Sequence, residues 1–285
     1  MLYGAHVSVA GGITNAIPRG VERGCDAIQI FTQSSRQWKP TNHDPALLAQ
    51  FGPMAAEAGI GYSVCHAIYF INLASLDDEI YQKSVDALVN TTGIAAQIGA
   101  DVCFHVGSHR GMGLEATMPR IQAGLKAAFA VLAPDCWLLL ENSAGAGDTI
   151  GRDVGELAAV IKASGHPRIG LCIDTCHIYV SGIDLRDAAT VDRFLGDVDD
   201  QVGLDRLRAL HVNDAAAGLG SNRDRHANML EGELGEEMGV FLSHPALQGL
   251  PAILETPGRE GKGSDLEEVD RLKAVHRAGL ATRAR

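Results

Sequence analysis

The amino-acid sequence predicts an α/β fold in which eight strand–helix units close into one barrel. Short runs of apolar and β-branched residues alternate with longer amphipathic segments from one end of the chain to the other. Dividing the 285 residues among eight units gives about 36 residues each, a size typical of (β/α)8 barrels. No linker rich in proline and glycine divides the chain. We therefore predict a single TIM barrel over residues 1–285, with its functional site at the C-terminal face of the strands.

Each predicted strand is an apolar or β-branched run followed by turn or polar residues. In chain order the predicted strands are Tyr3–Val9, Ala27–Thr32, Tyr62–Ile68, Asp101–Gly107, Trp137–Ser143, Ile169–Thr175, Leu207–Asp214 and Ala252–Pro257. The clearest predicted helices between them are Glu79–Ile98, Glu115–Leu132, Val154–Ala163 and Leu266–Ala278. A doubly wound open sheet is the competing topology, but the sequence lacks the G-x-G-x-x-G turn that a dinucleotide-binding fold has after its first strand.

Composition restricts the class of protein. Hydrophobic residues make up 46% of the chain and charged residues 21%, which is typical of a globular protein rather than a disordered one. The longest apolar run, 127–133, is too short to span a bilayer, and no secretory signal precedes the first strand. The six cysteines are too few to form a disulfide scaffold in a chain of this size. These features predict a cytoplasmic protein with buried thiols and no membrane partner.

Residues that bind metals or transfer protons stand at the ends of the predicted strands or in the loops that follow. A single histidine in an apolar run is usually a hydrogen-bonded core residue, but a barrel would direct five histidines and four carboxylates to one mouth. Burying four carboxylates without compensation costs several kcal/mol each, so the set requires cations. The set is His66, His105, Glu141, Asp174, His177, His211, Asp224, His226 and Glu255, with His6, Gln33, Arg36 and Asp214 at the same ends.

The mixture of imidazole and carboxylate ligands narrows the choice of ion. It favours Zn²⁺, with Mn²⁺ or Fe²⁺ as rivals, over Ca²⁺ and Mg²⁺. Nine ligands exceed the needs of one ion, so two or three ions are expected, and closely spaced ions suit displacement at phosphorus. Cys172 and Cys176 flank Asp174 and, by strand alternation, face the same way; we predict that both are buried thiols rather than ligands.

Several of these segments resemble motifs of the endonuclease IV family of apurinic/apyrimidinic (AP) endonucleases. The resemblance extends from about Tyr3 to Thr256, and the motifs occur in the family's order. They are Gly4-Ala5-His6-Val7-Ser8 with Ala10-Gly11-Gly12, Cys172-Ile173-Asp174-Thr175-Cys176-His177, His211-Val212-Asn213-Asp214 and Asp224-Arg225-His226.

The resemblance implies a TIM barrel holding three Zn²⁺ ions, with Mn²⁺ able to replace zinc at one or more positions. One ion would be held by His66, His105 and a shared Glu141. A second would use Glu141 with Asp174, His211 and Glu255, and the third His177, Asp224 and His226. Glu141 would bridge two ions, and Glu255 would orient or deprotonate the attacking water.

The resemblance also implies the reaction and the substrate. A metal-bridging hydroxide would attack the phosphate 5′ to an abasic site in double-stranded DNA, leaving a 3′-hydroxyl and a 5′-deoxyribose phosphate. The same site would trim blocked 3′ ends by phosphodiesterase or phosphatase action. Such a base-excision-repair nuclease would work as a monomer in the cytoplasm, on the DNA of the nucleoid.

DNA recognition is assigned by the resemblance to two loops. Arg36-Gln37-Trp38 matches a segment that enters the minor groove. The loop that contains Tyr69 and Phe70 matches one that fills the gap left by the extruded sugar, since an abasic site is already partly unstacked. One departure is Leu230, which stands where the family usually has glycine and which puts the local backbone geometry in doubt.

The net charge of −11 is unusual for a nucleic-acid-binding protein. Three divalent ions would offset part of it, and basic residues fall in loops on the predicted DNA face. The residues leave two other functions open. A sugar isomerase or epimerase with a divalent metal would need only a Glu/Asp/His/Glu set, which leaves the remaining histidines unexplained. A non-catalytic metal-binding or DNA-scaffolding protein is favoured only by Leu230.

Overall fold

The computed structural model describes residues 1–284, apart from the side chain of residue 260. Among them the strands are β1 Leu2–His6, β2 Ala27–Phe31, β3 Tyr62–His66, β4 Asp101–Phe104, β5 Leu138–Glu141, β6 Ile169–Asp174, β7 Leu207–His211, β8 Asp214–Ala215, β9 His226–Ala227 and β10 Pro251–Leu254. The helices are α1 Ala16–Glu22, α2 Pro45–Glu57, α3 Asp78–Ile98, α4 Leu114–Phe129, α5 Val154–Ser164, α6 Thr175–Ser181, α7 Ala188–Gln201, α8 Gly239–Leu242 and α9 Leu266–Arg283.

Eight parallel strands form a closed barrel in the order β1-β10-β7-β6-β5-β4-β3-β2. Strand β1 closes it by pairing with β10 on one side and β2 on the other. The short strands β8 and β9 form a separate antiparallel pair in the connection that follows β7. The predicted TIM barrel is therefore confirmed, and the open doubly wound sheet is excluded.

The strands end earlier than the sequence predicts. Strand β4 ends at Phe104 and β10 at Leu254, so His105 and Glu255 follow their strands rather than lying within them. The predicted strand 207–214 is interrupted after His211 and resumes as β8. Apolar residues that the pattern placed within strands, such as Val7, Ile68 and Val106, are instead buried just beyond the ends of β1, β3 and β4.

The helix ends are set by local chemistry. The Asp77 carboxylate accepts hydrogen bonds from the backbone N–H groups of Glu79 and Ile80, which caps the start of α3. Gly99 ends the same helix in the left-handed conformation, at φ 72°. No helix of the described residues is both long enough and apolar enough to cross a membrane.

The barrel interior contains an apolar layer contributed by seven of its strands. This layer is Ala27, Val64, Cys103, Leu139, Cys172, Ala209 and Ile253. Residues two positions apart on a strand face the same side, so the next residues toward the C-terminal mouth also point inward. Those residues are all polar, and they form the floor of the functional site.

Candidate metal centre

A polar layer lies directly above the apolar layer, and each of its members follows a member of the apolar layer by two residues. Six of its members belong to the predicted metal set, and the seventh, Gln29, does not. The layer comprises Gln29, His66, His105, Glu141, Asp174, His211 and Glu255. The remaining ligand candidates come from outside the barrel strands: His177 from α6, His226 from β9 and Asp224 from the loop before β9.

Glu141 stands at the centre of the polar layer and is almost completely buried. Its Oε2 lies 2.9 Å from His66 Nε2 and 3.3 Å from His105 Nε2. Its Oε1 lies 2.9 Å from His211 Nδ1 and 3.5 Å from His177 Nδ1. One carboxylate therefore faces four imidazoles, two on each of its oxygens, which is the placement that a bridging ligand needs.

A second group shares Glu141 with three further side chains. The ligand atoms of Glu141, Asp174, His211 and Glu255 all lie within 4.8 Å of one another. Asn213 supports this group, because its amide donates to Asp174 Oδ2 at 2.6 Å and its Oδ1 accepts from the Glu255 N–H at 2.8 Å. The four residues assigned to the second ion position are thus brought together around one point.

The third group lies on the outer side of the mouth. His226 Nε2 is 3.6 Å from Asp174 Oδ2 and 3.4 Å from Asp224 Oδ1. His177 Nε2 is 3.3 Å from Asp224 Oδ2. The backbone N–H of His177 also donates to Asp174 Oδ1, because Asp174 caps the start of α6 and fixes the histidine at its first turn.

The outer hydrogen bonds of the histidines determine which ring nitrogen faces the carboxylates. His66 Nδ1 lies 2.6 Å from the carbonyl oxygen of Ala67, and His177 Nδ1 lies 2.9 Å from that of Asn142. A carbonyl oxygen can only accept, so each Nδ1 carries the proton and each Nε2 can present a lone pair. A histidine that donates its second N–H to a carbonyl is typical of metal ligation.

Two of these inward nitrogens have no hydrogen bond. His177 Nε2 and His226 Nε2 are buried, and no group satisfies either of them despite the carboxylate oxygens nearby. A buried imidazole nitrogen without a partner is costly in a folded protein. A cation between these nitrogens and the Asp174 and Asp224 carboxylates would satisfy all four side chains. The chemistry of the donors therefore fits a metal site.

Burial and neighbouring charges act in opposite directions on the pKa values of this cluster. Burial would raise the pKa of Glu141, but His105 and His211 outweigh it and hold that pKa well below its ordinary value. Burial would also lower the pKa of His177, but Asp174 and Asp224 outweigh it and raise the pKa to about 10. The raised pKa places a second proton on Nε2 of His177, and a cation bound between that nitrogen and the carboxylates would displace it.

Gln29 was not among the residues predicted from the sequence, yet it joins three members of the barrel mouth. Its Oε1 accepts from His211 Nε2 at 2.7 Å, which leaves His211 Nδ1 free to face Glu141. Its amide nitrogen lies 2.5 Å from Glu255 Oε1 and 3.2 Å from His6 Nδ1. The inward position two residues after Ala27 is the sequence signal that could have identified it.

Three other residues named at the strand ends have different roles. The Gln33 amide donates to the carbonyl oxygens of Gln37 and Trp38 and so belongs to the loop after β2. Asp214 accepts backbone N–H groups from the segment 232–235, which makes it an organiser of that loop rather than a ligand. Arg36 is exposed in the loop after β2 and does not line the central cavity.

The cysteines are all buried free thiols, as predicted. The expectation that strand alternation orients Cys176 was wrong, because the helix α6 begins at Thr175. The Cys176 thiol donates to the carbonyl oxygen of Arg225 at 3.6 Å. Cys172, by contrast, lies in β6 and contributes to the apolar layer.

A cavity of about 990 Å³ opens above the polar layer. Tyr69 and Phe70 stand on its rim and are 56% and 46% exposed, which is unusual for large aromatic side chains. Tyr69 packs edge-on against Phe31 with ring centroids 5.3 Å apart, and Phe70 packs against Trp38 at 5.7 Å. The cavity thus combines a polar floor with an aromatic rim.

Leu230 adopts the left-handed backbone conformation, with φ 71°. The backbone therefore keeps the left-handed conformation that glycine adopts without strain. Leucine adopts this conformation at a cost of about 1–2 kcal/mol. The Leu230 side chain is 39% exposed, so it contributes little packing in return. At the nearby position 232 only glycine fits, because a Cβ there would lie 2.5 Å from the Ala215 carbonyl oxygen.

We expect Leu230→Gly to raise the free energy of unfolding by about 1 kcal/mol, because relief of the left-handed strain exceeds the entropy that glycine loses on folding. Urea denaturation measures the change. The matched control is Leu219→Gly, since Leu219 is also an exposed leucine in the β7–α8 connection but has no positive φ. That variant should be destabilised; equal shifts in both variants would contradict the prediction.

A protein-family model described as a xylose isomerase-like TIM barrel matches residues 19–277. A probable endonuclease 4 of Methanoculleus marisnigri is 40% identical over 279 residues, covering 96% of this chain and 99% of the relative. A probable endonuclease 4 of Halorhodospira halophila is 42% identical and covers 93% of this chain and 91% of the relative.

This chain belongs to the endonuclease IV family. Endonuclease IV enzymes are AP endonucleases of DNA repair, and the chain is accordingly a hydrolase of that type. The crystal structure of endonuclease IV from Thermus thermophilus superimposes with a TM-score of 0.84 at 33% identity, covering 99% of this chain and 100% of the other. The family's metal-binding character agrees with the buried clusters of histidine, glutamate and aspartate.

Sugar epimerases share the fold with the endonuclease IV family. A D-tagatose 3-epimerase-like protein has a TM-score of 0.75 at 16% identity, covering all of both chains. At that identity the similarity concerns the barrel alone. The sugar-enzyme alternative is therefore not supported beyond the fold.

Proposed function

We propose that this chain hydrolyses the phosphodiester 5′ to an abasic site in double-stranded DNA, leaving a 3′-hydroxyl and a 5′-deoxyribose phosphate. The observation that carries the proposal is the convergence of five imidazoles on four carboxylates, with two imidazole nitrogens left without a hydrogen bond. A set of this size suits several closely spaced divalent ions rather than one. The same arrangement would trim blocked 3′ ends, since these present a similar phosphate ester.

Three ion positions account for the nine ligands. His66, His105 and Glu141 would hold the first ion. Glu141 would also bind the second ion, together with Asp174, His211 and Glu255. His177, Asp224 and His226 would hold the third. The ligand types favour Zn²⁺, with Mn²⁺ able to replace it. When bound, such ions supply a water nucleophile at neutral pH and neutralise charge on the phosphate oxygens.

The side chains of the chain would then perform the remaining work. Glu255 would orient the attacking water and accept its proton, because it lines the cavity while its Oε2 lies 3.4 Å from His211 Nδ1. Gln29 would hold both residues in register through its two hydrogen bonds. The buried position of Glu141 would keep the shared ligand away from competing water.

Substrate binding would use the rim of the cavity. Tyr69 and Phe70 would fill the space left in the DNA by an extruded abasic sugar, and Arg36 would enter the groove beside them. Arg110 and Arg225 line the same cavity and supply positive charge close to the proposed phosphate position. This local positive charge would attract the phosphates of DNA although the net charge of the chain is negative. We infer that the chain acts as a single domain and as a monomer.

The proposal is tested by elemental analysis of the purified protein together with incision of a duplex that carries one abasic analogue. We expect close to three metal ions per chain and cleavage 5′ to the lesion, with a 3′ end that a polymerase can extend. One ion per chain without incision would contradict the proposal and favour the sugar-isomerase alternative. An intact metal complement without incision would instead favour a non-catalytic binding protein.

We expect Gln29→Ala to weaken metal retention by about tenfold, because the variant no longer fixes the ring orientation of His211. Competition with a chelator measures retention. The matched control is Gln33→Ala, which removes a nearby glutamine whose amide bonds only to the loop after β2 and to Asn90. Equal retention in Gln29→Ala and the unmodified protein would show that His211 needs no such support.

A further inference from the structure

The apolar layer beneath the polar floor contains two thiols that the proposed reaction does not use. Cys103 lies two residues before His105, and Cys172 two residues before Asp174. Both side chains are completely buried inside the barrel. The other members of the layer are aliphatic. The layer therefore places two soft donor atoms directly under a cluster of nitrogen and oxygen ligands.

These thiols lie within reach of ligands above them. The ligand atoms of Cys103, Cys172 and His211 all lie within 4.8 Å of one another. The Cys103 thiol also donates to Glu141 Oε2 at 3.7 Å, and Cys103 groups in the same way with His66 and Glu141. Two sulfur ligands about 2.3 Å from a tetrahedral ion stand about 3.8 Å apart. Small shifts would therefore bring these atoms into the coordination shell of one ion.

We propose that Cys103, Cys172 and His211 form a binding site for a thiophilic cation, with Glu141 as the fourth ligand. Two thiols and one imidazole favour soft ions such as Cd²⁺ over the harder ions that carboxylates prefer. On binding, each thiol would lose its proton to solvent, and the two thiolates would neutralise the two charges of the ion. The carboxylate of Glu141 would add one negative charge, which the imidazoles of His66 and His105 beside its Oε2 are placed to balance.

Occupation of this site would inhibit the enzyme. His211 and Glu141 are also the residues that we assign to the proposed catalytic ions. Their ligand atoms cannot coordinate an ion at both sites at the same time. A thiophilic ion would therefore draw both ligands downward and displace the ion above them. The inference rests on the proposed function only through these two shared residues.

Cadmium titration of the purified protein tests the site directly. Cadmium bound to thiolate has a charge-transfer absorption in the ultraviolet, and this readout does not require incision. We expect the band in the unmodified protein, a clear reduction in Cys103→Ala and in Cys172→Ala, and its loss in the double variant. Alanine already occupies two positions of the same layer, so these variants retain a residue type that the barrel accommodates there.

Two further variants serve as controls. Cys65→Ala removes a buried thiol of β3 that lies outside the apolar layer and should leave the band unchanged. Cys176→Ala removes the thiol near Asp224 and His226, and a band that depends on it alone would overturn the proposal. So would a band that survives in the double variant, or the absence of any band in a protein shown by circular dichroism to be folded.

Incision assays then separate this inference from the proposed function. We expect cadmium to inhibit incision by the unmodified protein at about tenfold lower concentration than it inhibits Cys103→Ala. Equal sensitivity of the two proteins would overturn the inhibitory role. Absence of incision in both proteins without cadmium would count against the proposed function, and the absorption band would still decide on the thiol site.

Discussion

We expect the replacement of Glu141 by glutamine to lower the rate of abasic-site incision by about a thousand-fold, which corresponds to about 4 kcal/mol of lost transition-state stabilisation. Glutamine keeps the size of the side chain but offers one oxygen instead of two. It would therefore face the four surrounding imidazoles with an NH₂ group on one side. Single-turnover incision of a duplex with one abasic analogue measures the loss, and elemental analysis should show fewer ions per chain.

The matched control for Glu141→Gln is Asp101→Asn. Asp101 is also a buried barrel carboxylate, but it begins β4 at the opposite end and accepts from Tyr62 Oη at 2.9 Å and the Trp137 N–H at 2.8 Å. Residues at that end of a barrel serve stability rather than chemistry. The control should keep its metal content and incision rate. If Glu141→Gln kept its full metal content and its ordinary incision rate, Glu141 would not be a ligand of the metal centre.

Truncation of Tyr69 to alanine should reduce incision by up to about a hundred-fold while metal content stays unchanged. The loss of an aromatic platform that stacks in DNA costs about 1–3 kcal/mol. Tyr69 is positioned for this role, because it is more than half exposed and yet held by Phe31 and by His66, whose ring centroid lies 5.5 Å away. Incision rates and DNA affinity, both measured at one fixed salt concentration, give the effect.

Leu76→Ala provides the comparison for Tyr69→Ala. Leu76 is an exposed apolar side chain of the same connection between β3 and α3, but it does not line the cavity. Its truncation should leave incision and DNA affinity unchanged. Equal losses in both variants would indicate a general effect of that loop rather than a contact with the abasic site.

The candidate ligands could be predicted because barrel topology converts sequence position into spatial position. His66, His105, Glu141 and Asp174 are far apart in the sequence, but each stands at the C-terminal end of a strand or immediately beyond it. Parallel strands of a closed barrel bring those ends together. Knowledge of the fold class was therefore enough to expect one mouth containing nine ligand candidates, and the structure places them there.

The residues that support the ligands were harder to predict. Gln29 lies inside an apolar strand, and nothing in its composition separates it from a structural glutamine. Only the register of the strand shows that it points inward and reaches His211 and Glu255. The backbone of Leu230 was equally difficult, because a positive φ at leucine follows from the surrounding loop rather than from the residue. Both features depend on contacts between distant segments.

The closed barrel has a consequence for synthesis of the protein. The proposed ligands extend from residue 66 to residue 255, and β1 must pair with β10 before the mouth exists. No shorter fragment that emerges from the ribosome can assemble all nine of them. Closure by the last strand therefore couples the appearance of nuclease activity to completion of the fold. A chain that stops before β10 would lack the closed mouth on which that activity depends.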